Sequence, residues 1–195
     1  MAAVIRASST DDTESVLRVV AGAFGADGRA PDEELDIVRA TWAARPGAER
    51  LELVADEDGR LLGHVLAATG ELAPHTGDPT DSGATDSYVT ATAPGVPTVA
   101  GVAPLSVVPS HQGQGIGRAL MEALVQQATE RGWSLLLLLG DPDYYGRLGF
   151  SPAAAYGIAY APAGPDSPHF LARPLGQDSQ AAAPSGRQFR YCWEL

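Results

Sequence analysis

Five consecutive leucines, Leu135 to Leu139, lie between Ser134 and Gly140. The run is too short to cross a bilayer, which takes about 20 apolar residues. It also lacks the polar alternation of a strand with one wet face. A segment of this kind is a strand covered on both faces, so the chain has to place packed layers above and below it. No window of the sequence approaches eighteen uninterrupted apolar residues, so no membrane span is expected.

The rest of the chain can supply those layers. Its 195 residues suit one domain, and with 45% hydrophobic and 19% charged residues a packed core is expected. The formal net charge is -11, and all 13 basic residues are arginine; the chain has no lysine. That balance argues against a nucleic-acid partner, since neutralising phosphates needs a basic face. It also excludes a Walker-type phosphate loop, whose chemistry needs a lysine. Met1 to Arg6 lacks the basic flank and apolar run of a secretory signal. The single cysteine, Cys192, forms no internal disulfide, which agrees with a cytoplasmic setting. His64, His75, His111 and His169 show no ligand spacing, so no metal is expected.

Periodicity and punctuation give the order of elements. Val4 to Ala7 reads as a strand. A helix capped at Ser9 or Thr10 follows, with Asp11, Asp12 and Glu14 at its positive end and Gly25 as its stop. A second helix starts near Pro31-Asp32, buries Leu35, Val38 and Trp42, and stops at Pro46-Gly47. Leu51 to Ala55 and Leu61 to Thr69 form a hairpin turning at Asp58-Gly59. Gly70 to Thr98 reads as a long loop, with a short strand near Tyr88-Val89. Val99 to Val108 is a strand that Pro104 marks with a bulge or an edge. A helix follows over Gly113 to Arg131, closed by Gly132, and then the leucine strand. Asp141-Pro142 opens a short helix that runs through Tyr144 and Tyr145 to Gly149-Phe150. His169 to Arg173 and Gln188 to Glu194 are the last two strands, with Cys192 a small buried hydrophobe in the second.

The chemistry concentrates between Leu105 and Arg118. Gly113, Gly115 and Gly117 stand between a buried strand and a helix N-terminus. Glycines let backbone amides approach a ligand closely, and the helix dipole favours an anion there. No Asp or Glu occurs from Ser87 through Met121 in an otherwise acidic chain. The alternative is a glycine turn with only a packing role. The dinucleotide fingerprint is not matched, because Arg118 stands where it needs a third glycine.

Two blocks carry a family resemblance. Gln112-x-x-Gly115-x-Gly117 after Val107-Val108-Pro109 resembles the acetyl-CoA loop of the GNAT N-acetyltransferase superfamily. Tyr145-Gly-Arg-Leu-Gly-Phe150 resembles that family's Tyr-x-x-x-Gly-Phe segment, and Leu139 to Phe150 is similar to its YhbS-like branch. The resemblance implies an α/β (α+β) fold: one GNAT domain over 1–195 with a mixed, mostly antiparallel sheet of about seven strands. A parallel pair, the family's fourth and fifth strands, splays apart, and about four helices flank the sheet.

It further implies that acetyl-CoA binds as cosubstrate. Leu105, Ser106 and Val107 would offer backbone groups to its pantetheine arm and, through one amide, to the developing oxyanion. Gln112, Gly113, Gln114, Gly115, Ile116, Gly117 and Arg118 would surround the pyrophosphate. Tyr145 would protonate the leaving thiolate or contact its sulfur; the alternative is that it only packs and Tyr144 beside it is the exposed one. Phe150 reads as core. An amine acceptor would attack the thioester directly in a ternary complex. It must be neutral to do so, and Glu71, His75, Asp78 or a water relay would take its proton. The family's asparagine before the tyrosine is absent; Gly140 and Asp141 occupy that stretch. The resulting expectation is a cytoplasmic N-acetyltransferase, monomer or homodimer, with no metal, nucleic-acid or membrane partner. The alternatives are a non-catalytic acyl-CoA-binding or regulatory module, and an interaction protein whose glycine turn binds nothing.

Overall fold

A computed structural model describes residues 3–25, 30–44, 47–74, 89–90, 98–164, 166–176 and 187–194. In chain order it contains β1 (Val4–Ala7), α1 (Thr13–Phe24), α2 (Asp32–Trp42), β2 (Arg50–Glu57) and β3 (Arg60–Thr69). Next come β4 (Glu71–Pro74), β5 (Val89–Thr90), β6 (Val99–Val107), α3 (Ile116–Glu130), β7 (Leu135–Leu139) and α4 (Pro142–Gly146). The last four are β8 (Ser151–Pro152), β9 (Ile158–Ala159), β10 (Phe170–Pro174) and β11 (Arg187–Arg190).

Seven strands form the main sheet in the order β1-β2-β3-β6-β7-β10-β8. All neighbours are antiparallel except β6 and β7. The β2–β3 hairpin turns where expected: Asp58 and Gly59 both have positive φ (52° and 85°), the twist a two-residue turn needs. The leucine strand is covered on both faces. Leu136 and Leu138 pack with α3 residues Leu120, Met121 and Leu124. Leu135 and Leu137 pack instead with Leu72, Phe189 and Tyr191. Each such buried leucine contributes about 2 kcal/mol. Only the last, Leu139, is exposed.

The cover on that second face differs from expectation. It is a second sheet of order β5-β4-β11-β9. The segment read as loop from Gly70 therefore starts with a strand, whose Glu71–Pro74 pairs with Arg187–Arg190. The final strand also ends earlier than expected. Cys192–Glu194 is a 3-10 turn, with Cys192 buried in it. Gly101 shows why β11 packs here: a Cβ on it would lie 2.2 Å from the Tyr191 ring. A residue-pattern reading cannot see that the aromatic partner of a glycine lies ninety positions away.

A third cluster, Val16, Val20, Val38, Val54 and Leu66, seats α1 and α2 on the other end of the sheet. That end is pinned by Arg6. Its guanidinium donates to both carboxylate oxygens of Asp12 (2.7 and 2.9 Å) and to Asp56 Oδ2 (2.8 and 2.9 Å). Ser9 N–H also donates to Asp12, and Gly59 N–H to Asp56. So Asp12, read as a helix-dipole acid, is chiefly the ion partner that ties β1 and the start of α1 to the hairpin. The Arg6 hydrogen bonds hold both carboxyls below the usual carboxylate range. A lowered folded pKa gives stability that is present above the ordinary value near 3.9 and lost as pH falls below it. Asp12→Asn is therefore expected to lower the melting temperature by about 4 °C at pH 7. The gap from wild type narrows below about pH 4. Thermal melts of both proteins across pH 3–7 check this; a gap constant with pH would show that the carboxylate charge contributes nothing.

Candidate functional site

The parallel pair builds the site. β6 and β7 are in register only over Val99–Gly101 against Leu135–Leu137. β6 runs six residues further, to Val107, still paired with β3. Among the described residues no strand pairs with its other edge from Val102 onward. A register shift opposite Val65–Ala67 places one extra residue near Pro104, which has no N–H to donate. The bulge expected from the proline is there. Along that edge Leu105 and Val107 are half-buried, whereas Ser106 points to the opposite face. Its Oγ is buried without a hydrogen-bond partner among the described residues.

Beyond β6 the chain makes a 3-10 turn, Pro109–His111, and reaches the glycines. Gly113 and Gly115 have φ of 72° and 88°, in the left-handed region that a side chain strains. Gly115 is the N-cap of α3 and offers no capping side chain. Among the described residues, none of the amides of Gly113 through Arg118 has a backbone or side-chain acceptor. A helix N-terminus leaves orphan donors of this sort; here they extend into the turn before it. The two glutamines brace the turn: Gln112 Nε2 donates to Val107 O (3.1 Å) and Gln114 Nε2 to Ser110 O (3.2 Å). Arg118 is not a free cation, because its Nε donates to Glu122 at 2.7 Å. That bond raises the guanidinium pKa.

Leu105, Val107, Gln112, Gly113, Gly115, Ile116, Gly117 and Arg118 line one groove of about 410 Å³, with His111 and Tyr144. No carboxylate lines it among the described residues. Ser106 and Gln114 do not line the groove, although both belong to its walls in sequence. His111 is held at Nδ1 by Ser110 Oγ.

A larger cleft of about 740 Å³ lies beside it, and Leu105 lines both. Tyr145 enters this second cleft from α4, which Asp141 caps by accepting from Asp143 N–H (2.9 Å). The Tyr145 ring meets Tyr144 and Phe150 edge-on, at 4.9 and 5.7 Å. A Cβ on Gly140 would lie 2.2 Å from that ring. Gly140, in the stretch where the family's asparagine is absent, thus makes room for the tyrosine. Burial, and then Tyr144, raise the Tyr145 phenol well above its ordinary value. Tyr144 takes a different position: its hydroxyl leans over Gly117, 2.9 Å from where a Cβ would stand.

Glu71, the one expected base among the described residues, is not at this junction. Glu71 is buried on β4 and is not among the residues that line the cleft. His75 and Asp78 lie outside the described residues. The carboxylates that do line it are Glu33, Glu34 and Asp36 of α2 and Glu194 of the last turn. Glu194 accepts from Tyr160 OH (2.6 Å) and from Tyr191 N–H (2.8 Å). Burial, then that bond and the charges of Glu194 and Glu33, raise the Tyr160 phenol. His64 is buried away from the cleft lining, bonded at Nε2 to Glu52, which also accepts from Trp42.

A mixed sheet whose parallel pair parts beside an unpaired glycine turn is the acetyltransferase architecture. The Acetyltransferase (GNAT) family pattern matches residues 23–150, and the chain belongs to that family. It is 28% identical over 143 residues to the uncharacterized N-acetyltransferase YjhQ of Escherichia coli K12, covering 73% of this chain. Over 58 residues, 30% of this chain, it is 38% identical to the uncharacterized N-acetyltransferase YhbS of that strain. These matches span 66% of YjhQ and 35% of YhbS, less than two thirds of either. The crystal structure of YhbS from Escherichia coli in complex with CoA superposes with a TM-score of 0.71 at 22% identity, over 100% of this chain and 93% of that one. A GNAT family acetyltransferase from Brucella melitensis, determined with acetyl-CoA, gives 0.66 at 26% identity, over 97% and 95%. Among the described residues no helix is long and apolar enough to cross a membrane, and no three metal-ligating side chains cluster.

Proposed function

We propose that this protein transfers the acetyl group of acetyl-CoA to an amine, acting as one cytoplasmic catalytic domain without a metal. The observation that carries the reading is the row of unpaired amides from Gly113 to Arg118 at the end of a bare strand edge. Unpaired N–H groups at a helix start suit a diphosphate, and an open strand edge suits the amide-bearing pantetheine arm. The acetyl-CoA and CoA held by the two structural neighbours support the same assignment.

In this reading the arm lies along Leu105, Ser106 and Val107, and the thioester reaches the junction that Leu105 shares with the cleft. The neutral amine attacks the carbonyl; a C–N bond forms and an amide N–H of β6 stabilises the oxyanion. As the C–S bond breaks, Tyr145 gives its proton to the sulfur and the new amide nitrogen releases one. A phenol kept protonated by burial is suited to a thiolate leaving group. That one proton leaves through a water relay and restores the Tyr145 phenol, because Glu71, expected as a base, does not line the cleft.

Titration with acetyl-CoA in a calorimeter, followed by thiol release against an amine library, tests this. Binding with turnover is expected. Binding without turnover on any amine would make the protein an acyl-CoA-binding module, and no binding would leave the glycine turn a packing device.

A further inference from the structure

The cleft beside Tyr145 has a chemistry of its own. Its volume of about 740 Å³ far exceeds what an acetyl group and a single amino group fill. Its far wall is aromatic: Tyr191 and Trp193 stack at 4.2 Å, and Tyr160 meets Tyr191 edge-on at 5.1 Å. Glu194 sits against these rings with one oxygen on Tyr160 and the other on Tyr191 N–H. A carboxylate has about four lone-pair sites, so two remain for a ligand. Glu33 faces the same phenol from α2. Among the described residues no arginine or histidine lines the cleft, and the chain has no lysine at all.

We infer that this cleft selects acceptors that carry a positive charge in addition to the reacting nitrogen, such as an alkyl diamine. The inference rests on the acetyl-transfer reading and names its substrate class. The near end, at Leu105 and Tyr145, is apolar and receives the neutral amino group. The far end holds the second, ammonium group between Glu194, Glu33 and the ring of Trp193, which lines the cleft. Carboxylates attract the cation directly and aromatic faces attract it through their quadrupoles, more strongly where water is excluded. An acceptor with a carboxylate at that end would meet like charge and be rejected.

The test uses three probes of similar length: 1,5-diaminopentane, pentylamine and 5-aminopentanoate. With acetyl-CoA saturating, thiol release is expected to give the diamine a kcat/KM at least tenfold above pentylamine. Over 5-aminopentanoate the ratio is at least a hundredfold. The difference appears mainly in KM and shrinks in 0.5 M salt. Glu194→Gln combined with Glu33→Gln, both shape-conserving, is expected to cut the diamine preference at least fivefold. A preference below twofold, or one that the double variant and salt leave intact, overturns the inference. A separate readout needs no acetyl-CoA: diamine titration of Trp193 fluorescence, with Trp193→Phe as the control. If acetyl-CoA itself fails to bind, the transfer reading falls. The cleft is then judged by this titration alone, where saturation by the diamine but not by pentylamine supports it and no difference overturns it.

Discussion

Gly115→Glu is expected to abolish acetyl-CoA binding, raising Kd by about ten-thousandfold. The side chain would start from the N-cap of α3, among amides that have no other partner among the described residues. Nothing lies within 4 Å of a Cβ built there, so the loss is not a clash with the protein. Two other effects remain, and they can be separated. Gly115 has φ of 88°, so any side chain strains the turn by about 1–2 kcal/mol. The charge does more. A carboxylate about 4 Å from one phosphate charge costs about 4 kcal/mol at an effective dielectric near 20, which is about three decades in affinity. Gly115→Gln has the same shape and strain without the charge. Calorimetry should show Gln weakening binding by about tenfold and Glu eliminating it. Equal affinities for the two variants would place the diphosphate elsewhere and remove the glycine turn from the carrier site.

What could be read from the residues divides along a physical line. Elements fixed by local chemistry were legible: the Asp58-Gly59 turn, the bulge at Pro104 and the Gly132 helix stop, where φ is 76°. So was the double cover of the leucine run, because five unbroken apolar residues leave no wet face. The partner that covers it was not. Phe189 and Tyr191 reach Gly70 and Gly101 from the far end of the chain, and a Cβ on either glycine would lie within 2.5 Å of an aromatic ring or backbone oxygen. Nothing about a glycine in sequence distinguishes such a cradle from a turn. The same separation hid the acidic cleft, since Glu33 and Glu194 meet around Tyr160 only after the second sheet forms. Glu194, read as the end of a strand, lies in a turn that redirects it toward the cleft. Tyr145 was visible from its spacing to Gly149 and Phe150, but the role of Gly140 was not. An absent asparagine reads as a lost contact, and only the structure shows that Gly140 in the same stretch admits the phenol ring.

Tyr145→Phe is the second large effect: kcat should fall by about a hundredfold or more while the acetyl-CoA Kd stays within a few fold. The ring supplies the packing, edge-on against Phe150 and Tyr144 and seated on Gly140, and phenylalanine keeps all three contacts. The hydroxyl makes no hydrogen bond among the described residues, so its removal leaves no protein donor or acceptor stranded. The variant should therefore melt close to wild type, and lost turnover cannot be charged to unfolding. Protonation state gives an independent check. Burial and the adjacent Tyr144 raise the Tyr145 phenol above its ordinary value near 10. A raised pKa keeps the proton in place as pH rises, so deprotonation of Tyr145 should produce no alkaline fall in wild-type kcat up to about pH 10. Tyr144→Phe serves as the comparison, because that hydroxyl leans over Gly117 in the other groove. It should alter acetyl-CoA affinity more than kcat. If instead Tyr144→Phe removes turnover and Tyr145→Phe does not, the proton comes from the groove side, and the thioester sulfur lies nearer Gly117 than Gly140.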